Sequence, residues 1–235
     1  PIFDKEIYDY VQEVSADCWN EPTTIMAMCD VDLFKNTYKT QLNEYKHSTL
    51  LGLDKFAYTS VLDGVTGAFL DWYAQYNIEN LVVLKGEYPF HKRNGCTVLE
   101  HFTDIKHGQT LILSMPFSAT GDIHDDYFSI IEYCRNNKID ILLDCAYLNI
   151  SGIGDIDIDA SCIKSIATSL SKVYATGMNK IGIKFDRHEV HTPVKQLNDW
   201  LYLNHFSMNL HLKLFDKFNL SYVCLLYTSD AADES

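Results

Sequence analysis

The sequence predicts an α/β protein of three layers, α/β/α, with helices covering both faces of a mixed but mostly parallel central sheet. Three observations carry this prediction. Short apolar runs recur from Leu81 onward, at 81–84, 97–102, 110–115, 139–144, 163–169 and 181–185. They are close to continuously apolar, which is how strands read when both faces are covered. Between them lie stretches of helical periodicity, above all 123–137 and 194–204, and strands that alternate with helices form parallel pairs through crossover connections. A chain of 235 residues with 47% hydrophobic content can build one sizeable core.

Taken in order, residues 4–16 place Ile7, Val11 and Val14 at helical spacing among acids, an amphipathic helix. Asn20-Glu21-Pro22-Thr23-Thr24 reads as a turn into a short helix ending near Met28, with Pro22 in its first turn. Residues 31–46 show no pattern that assigns them. At 60–73 a glycine-bearing turn, Asp63-Gly64, opens an apolar helix. The first N–H groups of a helix have no intrahelical partner and so offer a place for an anion. The helix over 123–137 is expected to bury Tyr127, Ile130, Ile131 and Cys134, and helices at 194–204 and 207–218 complete the set.

Composition narrows the function. Thirty-two acidic against nineteen basic residues give a net charge of −13, with no Lys/Arg cluster, which excludes nucleic acid and anionic membrane surfaces as expected partners. No apolar run approaches the ~20 residues of a membrane span, and Pro1-Ile2-Phe3-Asp4-Lys5-Glu6 does not read as a signal peptide, so the expectation is a cytoplasmic protein. Cys18, Cys29, Cys96, Cys134, Cys145, Cys162 and Cys224 form no C-x-x-C pair and read as free thiols. His188 and His191 lack a third ligand nearby in sequence and read as a solvated turn, so no metal is expected.

In open α/β sheets ligands bind outside the carboxyl ends of the strands. The polar residues ending the predicted strands are Tyr88, Ser118, Asp144, Tyr147, Ser169 and Lys172. Lys172 follows an apolar run and a hydroxyl cluster, Ser169-Leu170-Ser171, with a second cation, Lys180, close behind. An amine partly withdrawn from water beside another cation loses some preference for its charged form and gains nucleophilicity.

The order of motifs is more specific than any one of them. Asp63-Gly64-Val65-Thr66-Gly67-Ala68, Glu87-Tyr88-Pro89-Phe90-His91, Pro116-Phe117-Ser118-Ala119-Thr120-Gly121, Asp144-Cys145-Ala146-Tyr147, Ser169-Leu170-Ser171-Lys172 and Lys180-Ile181-Gly182 follow one another along residues 44–215. In that order the sequence resembles the large domain of fold-type I pyridoxal-phosphate enzymes of the class I/II aminotransferase family. The resemblance implies pyridoxal 5′-phosphate as cofactor, with Lys172 forming the Schiff base and moving the proton. It implies that Asp144 holds the proton on the ring nitrogen, that Tyr147 bonds the ring's phenolic oxygen and that Tyr88 stacks on the ring. The phosphate would be held by the backbone at Gly64 and Val65, by Thr66 and Ser169, and by Lys180.

Two departures stand out. Lys180 stands where the family has arginine, which removes a bidentate fork, and Ser118 stands where it has asparagine. Tyr45 stands near the family's tyrosine that reaches a partner subunit's phosphate. The implied substrates are an amino acid and a 2-oxo acid, and the implied assembly is a homodimer. Another chemistry on the same scaffold, a carbon–sulfur lyase or a decarboxylase, and a non-catalytic module with this fold remain alternatives. The cofactor domain is expected over 44–223, after an N-terminal segment 1–43. The string from Cys224 to Glu234 resembles a translated sequencing adapter, so 224–235 are expected to lie outside the natural fold and the domain to be cut at its carboxyl end.

Overall fold

The computed structural model describes residues 4–20, 27–174 and 176–222, with the side chains of 17–20 excepted. The predicted amphipathic helix is α1, Lys5–Asn20, and the turn expected around Pro22 lies outside the described residues. The unassigned stretch is a helix, α2, Val31–Glu44. Asp30 caps it by accepting from the Leu33 N–H at 2.9 Å, and Phe34, Tyr38 and Leu42 form a single buried row.

Next come β1, Ser48–Leu51, and β2, Tyr58–Leu62, neither of which the apolar pattern had marked. The helix after Gly64 is α3, Val65–Gln75, followed by β3, Leu81–Leu84, the short α4, Pro89–Arg93, and β4, Thr97–Leu99. The strand predicted over 97–102 is thus cut short, because Phe102–Asp104 turns into a 3₁₀ helix. Then follow β5, Thr110–Ser114, α5, Tyr127–Asn137, β6, Ile141–Cys145, and β7, Gly154–Asp157. The chain continues through β8, Ile163–Ser169, β9, Gly182–Asp186, α6, Pro193–Asp199, and α7, His205–Lys217.

Seven strands make the main sheet in the order β2-β9-β8-β6-β5-β3-β4, while β1 and β7 pair separately. All pairs from β8 to β4 are parallel, and β9 runs antiparallel to both β2 and β8. Alternate residues divide the sheet between two cores. Val82, Leu111, Leu113, Ile141, Leu143 and Ile166 face the larger one, shared with α1, α2, α5 and α7. Leu81, Val83, Ile112, Leu142 and Ala167 face the smaller one, with Phe69 and Trp72 of α3. The fold is therefore the predicted α/β/α sandwich, and the helices of segment 1–43 pack into the same core as the sheet.

Strand β2 is a sheet edge, and Asn198 of α6 satisfies it: its Oδ1 accepts from Val61 N–H at 2.7 Å and its Nδ2 donates to Val61 O at 3.0 Å. Under α3 lies a buried charge cluster. The Lys184 ammonium, 0% exposed, is bonded to the Asp71 carboxylate and stands 3.2 Å from Asp186, whose other neighbour is the Ser165 hydroxyl. Burial pushes Asp186 above its ordinary value, against the attraction of Lys184. Cys29, Cys96, Cys134, Cys145 and Cys162 are buried free thiols, as expected.

Candidate functional site

Strand register brings the predicted residues to one edge of the sheet. Ser114, the last residue of β5, lies opposite Asp144 of β6; Asp144 lies opposite Ala167 of β8; and Gly182, the first residue of β9, lies opposite both Ser169 and Leu62. The exits of β2, β3, β5, β6 and β8 and the start of β9 therefore share one ledge. Gly182 fits there because it lacks a side chain: a Cβ would stand 2.2 Å from the Thr168 carbonyl oxygen.

At the centre of the ledge is Asp144, 7% exposed. Its Oδ1 accepts from the Ala146 N–H at 2.9 Å, while Oδ2 accepts no hydrogen bond among the described residues. Burial pushes its pKa up to about 7, opposed by the Ala146 bond and by the positive charge of Lys172. Lys172 lies in the turn that follows β8, half-buried. Its Nζ sits 5.1 Å from the centroid of the Tyr147 ring, a cation–π contact. Tyr147 is 47% exposed, so one side of that contact faces solvent.

A second group gathers around Gly64. Its backbone has φ +80°, and a Cβ there would occupy the space between Lys180 Cβ, 3.6 Å away, and Ser171 Oγ, 3.9 Å away. Val65 and Thr66 begin α3 next to that space, with the Thr66 side chain exposed. Lys180 is exposed, on the short segment before β9. The Ser169 hydroxyl stands 3.1 Å from Ser171 Oγ and 3.4 Å from Ile181 O, and it accepts from the Ser171 N–H at 3.2 Å. Ser169 thus shapes the turn, and Ser171, to which the motif comparison gave no role, is the hydroxyl beside Gly64.

The flanks hold Tyr88 and Ser118. Tyr88 starts α4, and its ring is stacked on Phe90 at 5.9 Å between centroids and 10° between planes. Ser118 is exposed on the loop after β5, where its N–H donates to Ser114 Oγ at 2.9 Å. Tyr45 is buried and donates to Ser151 O at 2.8 Å. His188 and His191 are exposed, and among the described residues no group of three metal-ligating side chains occurs. A cleft of about 320 Å³ beside α3 takes in Thr66 but not Asp144, Tyr147 or Lys172.

These residues fit pyridoxal phosphate on two counts. Asp144 offers a buried carboxylate with an unclaimed oxygen, which suits a protonated ring nitrogen, and the start of α3 at Gly64 lies beside the Ser171 hydroxyl and the Lys180 side chain, groups of the kind a phosphate uses.

A mostly parallel seven-stranded sheet with helices on both faces is the fold of the pyridoxal-phosphate-dependent transferases that this chain resembles in structure. The chain is similar to substrate-bound BacF from Bacillus subtilis, with a TM-score of 0.65 and 12% identity over 96% of this chain and 64% of that one. It is similar to tyrosine aminotransferase from Leishmania infantum, with a TM-score of 0.64 and 14% identity over 92% and 62% of the two chains. A pyridoxal-phosphate-bound C-S lyase from Staphylococcus hominis gives a TM-score of 0.63 and 11% identity over 97% and 66%. The chain thus spans about two thirds of the length of these proteins. No family model matches the sequence, and no curated protein matches it. Among the described residues no helix is long and apolar enough to cross a membrane.

Proposed function

We propose that residues 44–223 are the cofactor domain of a pyridoxal-phosphate-dependent aminotransferase that moves an amino group between an amino acid and a 2-oxo acid. One observation carries the reading: the Asp144 carboxylate, with one oxygen unclaimed, lies within electrostatic reach of the Lys172 amine at the carboxyl edge of the sheet. When bound, pyridoxal phosphate supplies an electron sink for the charge left at the substrate's Cα.

The chain's own residues then have separable tasks. Asp144 keeps a proton on the ring nitrogen, because a carboxylate in a desolvated place favours the cationic form of its neighbour. Lys172 would anchor the cofactor and, once displaced by the substrate amine, would take the proton from the Cα of the amino donor and, in the second half-reaction, deliver one to the Cα of the former 2-oxo acid. Tyr147, whose ring already faces the Lys172 ammonium, directs its hydroxyl to the cofactor's phenolic oxygen. Gly64, Val65, Thr66 and Lys180 bind the phosphate, with Ser169 contributing by holding the turn that sets the Ser171 hydroxyl beside Gly64; Tyr88 covers the ring, and Ser118 supplies a short-range donor. The intact protein is proposed to be a homodimer.

The test has two stages. Pyridoxal phosphate added to the chain should give a visible absorbance band that Lys172→Ala abolishes; a band that survives the substitution removes Lys172 from its role. The parent protein, supplied with amino-acid and 2-oxo-acid pairs, should exchange amino groups. Ammonia or carbon dioxide released without exchange would replace transamination by lyase or decarboxylase chemistry.

A further inference from the structure

The roles above leave out Glu87, a buried carboxylate at the junction of three segments of the ledge. It occupies the turn between β3 and Tyr88. Its Oε1 accepts from the Ser114 N–H at 2.7 Å and its Oε2 from the Ser114 hydroxyl at 2.5 Å. Ser114 Oγ in turn accepts from the Ser118 N–H at 2.9 Å. Ser114 lies opposite Asp144 in the sheet, and the next N–H, of Met115, donates to Asp144 O at 2.7 Å. One side chain therefore joins the Tyr88 turn, the Ser118 loop and the Asp144 strand.

The donors around it favour its anionic form. Ser114 Oγ gives its own hydrogen to Glu87 while it accepts from the Ser118 N–H. A carboxylate surrounded by donors alone is coordinated as an anion. Burial opposes this and pushes the Glu87 pKa up to about 7; the Ser114 bonds lower it, and the charge of Asp144 raises it. The charged groups facing this point are Asp144 and, beyond it, Lys172. Around Asp144 two carboxylates thus face one ammonium, while the other ammonium of the ledge, Lys180, stands beside Gly64. Without a ligand the two carboxylates must compete for a proton near neutral pH.

We propose that Glu87 is a second carboxylate of the site, a positioning residue that ties Tyr88, Ser118 and Asp144 into one unit and whose charge makes the ledge select a cationic N–H ligand. The ligand half of this proposal rests on the cofactor reading above; the carboxylate pair does not, since the ligand-free chain already contains it. The experiment is a carbon-13 carboxyl titration of the ligand-free chain as wild type, Glu87→Gln and Asp144→Asn. Removing either carboxyl should lower the midpoint of the one left by roughly half a pH unit or more. Unchanged midpoints overturn the pair and reduce Glu87 to a structural tie. Should Glu87→Gln fail to fold, the Glu87 midpoint in Asp144→Asn decides alone. With pyridoxal phosphate added, Glu87→Gln should weaken binding several-fold, read from the visible band, and Glu87→Asp should restore part of it. Equal binding in Glu87→Gln and wild type overturns the selection by charge. No lysine-dependent band in the wild type overturns the cofactor reading, and the pair is then judged on the carboxyl midpoints.

Discussion

Asp144→Asn should make the ligand-free protein more stable, and by an amount that grows with pH. Burial raises the Asp144 carboxyl from an ordinary value of 3.8 to about 7, the opposition of Ala146 and Lys172 already included. A group whose folded pKa is raised stabilises the fold relative to its ionised state below the unfolded value, and that contribution is lost as pH rises through the folded value. Three pH units at ~1.4 kcal/mol each make the ionised carboxylate cost about 4 kcal/mol at pH 8. At pH 5, only about one unit above the unfolded value, the cost is smaller, on the order of 1–2 kcal/mol. Asparagine does not titrate and keeps the acceptor for the Ala146 N–H. Urea unfolding should show the variant ahead of wild type by about 4 kcal/mol at pH 8 and by on the order of 1–2 kcal/mol at pH 5, a large share of a stability of roughly 5–15 kcal/mol. A variant less stable than wild type at pH 8, or an equal gain at both pH values, would refute the account of Asp144 as a carboxylate held at a cost for its ligand.

Three further outcomes follow from the same geometry. Lys184→Met leaves Asp71 and Asp186 buried together without their cation, so the protein should lose about 3–5 kcal/mol. The loss should be larger at pH 8 than at pH 5, since uncompensated buried carboxylates bind protons more tightly folded than unfolded, and a pH-independent loss in urea melts would contradict it. Gly182→Ala sets a Cβ 2.2 Å from the Thr168 carbonyl oxygen, so the β8–β9 pairing should open; amide exchange across Thr168 and Ser169 should lose protection, and unaltered exchange would show that the strands can part without cost. Lys180→Arg should tighten pyridoxal phosphate by about fivefold, on the order of 1 kcal/mol, in an absorbance titration, because a fork replaces a point charge; weaker binding would place Lys180 away from the phosphate.

How much the sequence revealed depends on where each element keeps its signal. The parallel strands were legible because both faces are covered, so Leu81–Leu84 and Ile141–Cys145 read as unbroken apolar runs. The helix Val31–Glu44 escaped because its buried face is one row, Phe34, Tyr38 and Leu42, diluted by Asn36, Thr37 and Thr40, which favour helix weakly. Strand Tyr58–Leu62 escaped because it is an edge whose outer half is polar and whose partners, Gly182–Asp186 and Asn198, lie more than a hundred residues away. At the site, family order pointed to Asp144 and Lys172, but nothing local distinguishes Glu87 or Ser171 from ordinary turn residues. Their places follow from register and from hydrogen bonds to Ser114 and Ser169, which no spacing rule encodes.

The antiparallel strand explains why residues so scattered along the chain meet. In a purely parallel sheet, everything at the carboxyl edge follows a strand, and a cation preceding one would sit at the opposite edge. Strand β9 reverses that rule: pairing antiparallel with both β2 and β8, it brings its amino end to the carboxyl edge, with Gly182 between Leu62 and Ser169. Lys180, which precedes β9, is thereby delivered next to Gly64, which follows β2, and to Ser171, which follows β8. The close approach that forbids a Cβ at Gly182 is the same approach that narrows this meeting point. The Asp144–Lys172 pair rests on the parallel β6–β8 pairing, whereas the approach of Lys180 to Gly64 rests on β9, and a slip of β9 by a single residue would turn Lys184 out of its buried cluster and move Lys180 away from Gly64 together.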